Sequence, residues 1–144
     1  VIIGQSMAEK LKIEIGNATP DDKIETMFVS GRDAITGLPR KLEIDSVEVR
    51  EALKEPVNQI VEEIKRTLSR TPPELCADIG DRGIVMTGGG SLLKGLTTLI
   101  RKETDVSAIL VENPLECVAR GAGLAFELYN DIEKDRTTYD ELNN

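Results

Sequence analysis

The chain has 144 residues, 40% of them apolar, which is enough for one domain with a hydrophobic core. Its net charge of −8 argues against binding nucleic acid or anionic lipid by charge alone, because both are themselves negative. With no histidine, a His-activated nucleophile is excluded and a zinc site is disfavoured. The two cysteines, Cys76 and Cys117, are expected to be reduced core residues.

The first third of the sequence predicts a helix followed by a hairpin. Residues 6–15 repeat apolar side chains on one helical face, and Ser6 with Glu9 forms a candidate capping box. Residues 23–31 and 41–44 alternate polar and apolar side chains around a turn at residues 36–39. We therefore expect a small antiparallel sheet.

A long apolar helical stripe follows. Asp45 and Glu48 mark its start, and residues 71–73 mark its end. Pro56 interrupts the stripe, and proline inside a helix costs about 3 kcal/mol. The sequence therefore predicts one helix over 46–54 and a second beginning at Pro56, with a short helical turn at 74–79.

The last part reads as a βαβα unit. Residues 83–87 and 107–111 are short apolar runs typical of strands buried on both faces of a parallel sheet. A helix is predicted over 91–103, and Asn113 with Pro114 indicates the start of another. Residues 131–144 are polar and read as a frayed tail. Because the chain opens with Val1 and a short apolar run, we expect a piece of a longer protein.

Three consecutive glycines, Gly88 to Gly90, join the first of these strands to the next helix, in the stretch IVMTGGGSLLKGL. Backbone amides in such a turn can approach a phosphate or nucleotide closely. A tight turn that needs positive φ would also select glycine. A second candidate pair, Glu9 and Lys12, shares one helix face, where a solvated surface ion pair is the alternative to a binding role.

Taken in order, these segments resemble the C-terminal part of the MreB family of bacterial actin-like proteins, over about residues 4–129. The resemblance rests on the following stretches: AEKLKIEIG (8–16), VSGRDAITGLPRKLEI (29–44), EVREALKEPVNQIVEEIKRTLSRTPPELCADI (48–79), DRGIVMTGGGSLLKGL (81–96) and ENPLECVARGAGLAFE (112–127). One departure is Gln5, where family members usually carry an acidic residue directly after a glycine.

The resemblance implies an α/β fold, the C-terminal part of an actin-like (ribonuclease H-like) ATPase. It divides the chain into a smaller α+β subdomain of the actin-like IIB type over 1–72, a βαβα part of the IIA type over 73–130, and the polar tail 131–144. It also implies ATP or ADP with Mg²⁺ as ligand in the full-length protein. The implied nucleotide-binding residues are Glu9, Lys10, Leu11, Lys12, Thr87, Gly88, Gly89 and Gly90.

For function, the resemblance implies a cytoskeletal protein that polymerises into filaments at the inner face of the cytoplasmic membrane and governs rod shape and side-wall peptidoglycan elongation. Its implied partners are further copies of itself and membrane-anchored cell-shape and elongation proteins, and not nucleic acid. The resemblance makes the hairpin turn at 36–39 a candidate contact between subunits, and a merely solvated turn is the alternative. The family's phosphate-gripping hairpins, catalytic acidic residues and membrane contact lie outside this chain, so no catalytic or metal-binding residue is expected here. The alternative is another member of the superfamily, a sugar kinase or chaperone-type ATPase, with the same adenosine loop.

Overall fold

A computed structural model of the chain describes the backbone of residues 1–142 and the side chains of residues 1–129. In chain order the elements are α1 Gln5–Ile15, β1 Thr26–Arg32, β2 Pro39–Asp45, α2 Ser46–Arg70, α3 Pro73–Arg82, β3 Ile84–Met86, a short 3-10 helix Gly89–Leu92, α4 Leu96–Thr104, β4 Ala108–Leu110 and α5 Cys117–Leu142. Among the described residues, no helix is both long and apolar enough to span a membrane.

The first lobe consists of α1 packed on the β1–β2 hairpin. The predicted antiparallel pair is present, with Thr26 opposite Asp45 and Arg32 opposite Pro39. Leu11 and Ile15 of α1 are buried together with Val29, which is fully enclosed. The predicted capping box at Ser6 is wrong, because α1 begins one residue earlier, after Gly4, and no side chain caps it.

Helix α2 connects the two lobes. The predicted capping box at its start is confirmed: Asp45 accepts hydrogen bonds from the amides of Val47 and Glu48, and Glu48 accepts one from the amide of Asp45. The predicted break at Pro56 is wrong, because the helix runs unbroken from Ser46 to Arg70. Burial of Val57 on the turn that follows the proline stabilises the continuous helix.

The second lobe is a parallel β3–β4 pair joined by α4, as predicted, with Ile84 opposite Ala108. Ile100 of α4 is fully buried, and it packs in a second core cluster with Val57 and Val61 of α2. The expectation that both strands are buried on both faces is wrong for the described residues. Val85 is 61% exposed. The described helices that pack on the pair, α2 and α4, share one core with Ile84, and Val85 lies on the opposite face because successive strand residues alternate.

The first residues of two helices, α4 and α5, differ from the sequence-based expectation. Helix α4 begins at Leu96, not at residue 91, because Gly95 adopts the left-handed conformation after the 3-10 turn. Helix α5 begins at Cys117, because Asn113 has φ 52° and residues 113–116 form a turn.

Two expectations for the C-terminal part and the thiols also need comment. The backbone of α5 is helical to Leu142, through most of the expected polar tail 131–144. Residues 143 and 144, like the side chains from 130 onward, lie outside the described part of the chain. Cys76 and Cys117 are free thiols, but both are only partly buried, so the expectation that they are core residues is wrong.

Candidate functional site

The loop from Thr87 to Gly90 leaves β3 and enters the short 3-10 helix. Gly88 has φ 80°, a conformation that favours glycine, so its identity is explained by the turn. Its amide donates to the carbonyl oxygen of Pro114 at 2.8 Å, and its own carbonyl accepts the hydroxyl of Ser91 at 2.6 Å. Ser91 is buried, so this end of the loop is held rigidly.

Gly89 and Gly90 differ from Gly88, because neither of them has a positive φ. A Cβ atom on Gly89 would lie 3.2 Å from Leu115 Cδ2, which is a tight contact, whereas one on Gly90 would meet nothing within 4 Å. Among the described residues, the amides of both glycines have no hydrogen-bond acceptor. Neither backbone conformation nor packing thus requires glycine at position 90, and the two amides are left without an acceptor among the described residues.

The other predicted segment lies on α1. Glu9, Lys10 and Lys12 are exposed, but Leu11 is only 5% exposed and its side chain is part of the first core. Lys10 pairs with Glu14 at 3.7 Å between exposed side chains. In the described part of the chain, neither Glu9 nor Lys12 forms an ion pair, so the surface pair considered as the alternative does not occur.

The glycine loop and α1 share no hydrogen bond among the described residues, but they are joined through Lys94. Its carbonyl oxygen accepts the amide of Ala18 at 2.7 Å, and its ammonium group donates to the carbonyl oxygen of Glu14 at 2.7 Å. Sequence reasoning missed Lys94, since its partners are distant along the chain.

Among the described residues, Thr87 to Gly90 line neither of two grooves on the surface of the chain. An apolar groove of about 890 Å³ lies elsewhere, between α2, α3 and the start of β3, with Ile60, Ile64 and Ile84 in its walls. None of Thr87 to Gly90 lines it. Apart from the buried Leu11 and the half-buried Gly88, the candidate binding residues are exposed to solvent.

The hairpin tip is the other surface singled out from the sequence. Asp33 accepts amide hydrogen bonds from Thr36 and Ile35, and Arg40 donates to it at 2.8 Å. The Thr36 amide first, and then Arg40, hold the pKa of the Asp33 carboxyl well below its usual range. This ordered turn presents Ile35 to solvent at 95% exposure.

Comparison with known proteins identifies the class first. The structure of MreB5 of Spiroplasma citri bound to ADP matches with a TM-score of 0.85 and 30% sequence identity, over 92% of this chain and 41% of that one. A second structure of that protein, bound to AMPPNP, matches over 93% of this chain with the same TM-score and identity. The fold is therefore α/β and actin-like, as the sequence predicts.

Sequence comparison then gives the family. The model of the MreB/Mbl protein family matches residues 1–134, and the chain belongs to that family. The cell shape-determining protein Mbl of Bacillus subtilis is 45% identical over 134 residues, 93% of this chain and 40% of that protein. The cell shape-determining protein MreB of Escherichia coli is 45% identical over 127 residues, 88% of this chain and 37% of that protein. The chain thus spans about two fifths of the length of these curated relatives.

Proposed function

We propose that this chain is the part of a cell shape-determining, actin-like protein that supplies one wall of an ATP/ADP site. Thr87, Gly88, Gly89 and Gly90 approach the phosphates and sugar through their backbone, with Gly88 shaping the turn. Glu9 and Lys12 reach the adenosine from the other side, because a carboxylate accepts hydrogen bonds from ribose hydroxyls and an ammonium group donates to base nitrogens. Lys10 lies beside them, and Leu11 acts by holding α1 against the core.

The observation that carries this proposal is Gly90. Glycine is entropically unfavourable to order, and here neither a positive φ nor a close neighbour explains it. The open space at the Cβ position of Gly90, beside two amides that have no acceptor among the described residues, fits a ligand with phosphate or hydroxyl oxygens. The matched structures of MreB5 were solved with ADP and with AMPPNP, which supports a nucleotide as that ligand.

The proposed assembly follows from the family and from the hairpin. The protein polymerises head to tail into filaments in the cytoplasm, at the inner face of the cell membrane, and directs side-wall peptidoglycan elongation with membrane-anchored partners. The tip bearing Ile35 contributes to the contact between subunits, because an exposed apolar side chain on a rigid turn loses little entropy on binding. Family membership favours this reading over a sugar kinase or a chaperone-type ATPase.

The proposal assigns no catalytic residue to this chain. Among the described residues, no three carboxylate or thiol side chains come together where a metal ion could bind. Phosphoryl transfer needs a metal and a residue that positions water, placed together. We expect the 144-residue chain alone not to hydrolyse ATP, with Mg²⁺ and the acidic groups supplied by the remainder of a full-length protein.

Calorimetry with ADP and AMPPNP tests the proposal. It is done on the 144-residue chain and on a chimera in which this chain replaces the 134 aligned residues of B. subtilis Mbl. Gly90→Val puts a branched side chain into the open space and is expected to weaken binding by the chimera at least tenfold. Gly80→Val is the matched control, since Gly80 also has open space around it but lies on α3.

Three results would each contradict a part of the proposal. Equal affinity for ADP in the Gly90→Val and unsubstituted chimeras would leave the glycines as a turn and nothing more. No binding by the unsubstituted chimera would remove the nucleotide site, while family membership would stand on the sequence comparison. Phosphate release by the 144-residue chain above a blank would contradict the assignment of catalysis to the rest of the protein.

A further inference from the structure

Lys94 joins three parts of the molecule. Its side-chain ammonium group donates to the carbonyl oxygen of Glu14, at 2.7 Å, and to Glu25 Oε2, at 3.1 Å. Glu14 is the penultimate residue of α1, so its carbonyl has no partner within the helix. Lys94 therefore caps the C-terminal end of α1 with a positive charge, which that end of a helix favours.

The backbone beside Lys94 reinforces the same junction. The carbonyl oxygen of Lys94 accepts the amide of Ala18, and Asn17 and Lys94 form a parallel bridge. Gly95 has φ 74°, and a Cβ atom there would collide with Asn17 Oδ1 and Thr19 Oγ1. Residues 17–19, which follow α1, and residues 94–95, which follow the glycine loop, are thus in direct backbone contact, and there is no room for a side chain at Gly95.

Lys94 lies between the two proposed binding segments, the glycine loop and α1. Lys94 follows Gly90 by four residues and lies just after the 3-10 helix Gly89–Leu92, whose start is fixed by the buried Ser91 hydroxyl on the Gly88 carbonyl. Through Glu14 it holds the same helix that presents Glu9 and Lys12. We infer that Lys94 is a positioning residue that fixes α1 relative to the glycine loop, so that both segments meet one nucleotide. This inference rests on the proposed function.

The first test needs no nucleotide. Amide hydrogen exchange is measured on the 144-residue chain, unsubstituted and with Lys94→Met, Lys94→Arg or Lys102→Met. Lys94→Met is expected to speed exchange of the Ala18 amide at least tenfold and to leave the Val61 amide in the second core unchanged. Lys94→Arg keeps a charged donor, so its Ala18 exchange rate is expected to stay within threefold of that of the unsubstituted chain. Lys102 is exposed on α4 and makes no hydrogen bond among the described side chains, so its substitution is the control.

The second test measures ADP affinity in the Mbl chimera. Lys94→Met is expected to lower affinity at least tenfold, with rescue by Lys94→Arg and no effect of Lys102→Met. Unchanged Ala18 exchange in Lys94→Met would overturn the role of the Lys94 side chain in holding the junction, since the backbone carbonyl that accepts the Ala18 amide is kept. Faster exchange with unchanged ADP affinity, in a chimera that Gly90→Val impairs, would overturn the positioning role. If the unsubstituted chimera binds no ADP, the proposed function fails and so does the role toward nucleotide, while the exchange data still decide whether Lys94 holds α1.

Discussion

At the scale of single residues, the Asp33 carboxylate sets the geometry of the hairpin tip and carries a pH dependence. Its folded-state pKa is lowered from 3.8, chiefly by the Thr36 amide and then by Arg40. Its stabilising contribution is therefore present above about pH 3.8 and is lost as the pH falls through the folded-state pKa. We expect the melting temperature of the unsubstituted chain to exceed that of Asp33→Asn by a constant margin near neutral pH, with the margin shrinking below about pH 4.

Circular dichroism melts at a series of pH values measure this margin. Asp33→Ala should melt lower than Asp33→Asn, because asparagine still accepts the amide hydrogen bonds of Ile35 and Thr36. Asp22→Asn is the control, since Asp22 is exposed and has no hydrogen-bond or ion-pair partner among the described residues. A margin that grew on acidification would show that the ionised carboxylate destabilises the turn.

At the scale of elements, α2 carries a strained residue in its interior. Pro56 cannot donate a backbone hydrogen bond and its ring crowds the carbonyl of Ala52, yet the helix is continuous. Pro56→Ala should therefore raise the free energy of unfolding by about 1–3 kcal/mol in urea titrations. Asn58→Ala, an exposed change two residues on, should gain at most about 0.7 kcal/mol. A loss of stability in Pro56→Ala would mean that its ring, which lines the apolar groove, contributes more than the missing hydrogen bond.

The same helix shows why some elements can be predicted from the sequence and others cannot. The start at Asp45 is a local matter of side chain and nearby amides, and it was predicted correctly. The continuation past Pro56 depends on contacts of Val57 and Val61 with α4, about forty residues away in the chain. The predicted start of α5 is wrong for another reason. Asn113 and Pro114, which are favourable at the start of a helix, lie in the turn that precedes α5.

Some features of the candidate site can likewise be predicted from the sequence, and others cannot. The glycine run is visible in the sequence, and so is the helix face with Glu9 and Lys12. What joins them is not visible, because Lys94 meets Glu14 and Glu25 at separations of 80 and 69 residues. The division of the chain at residue 72 stays a prediction.

At the scale of the whole molecule, β3 leaves one edge of its sheet unpaired among the described residues. Ile84 donates to Ser107 and Met86 accepts from Val111, so both of these residues bond toward β4. Residues alternate along a parallel strand, so the amide and carbonyl of Val85 point to the other edge. An unpaired apolar edge is a template for another chain.

We therefore expect the 144-residue chain to self-associate through β3. Light scattering over a concentration series should give a mass that rises above the monomer for the unsubstituted chain and stays at the monomer for Val85→Lys, because a charged lysine at a strand edge opposes pairing. Ile24→Lys is a matched control, since both side chains are 61% exposed but Ile24 precedes β1. A mass that rises equally in Val85→Lys would place the association elsewhere. The hairpin tip would then be the surface to alter, because Ile35→Lys removes its most exposed apolar side chain and leaves the β3 edge intact.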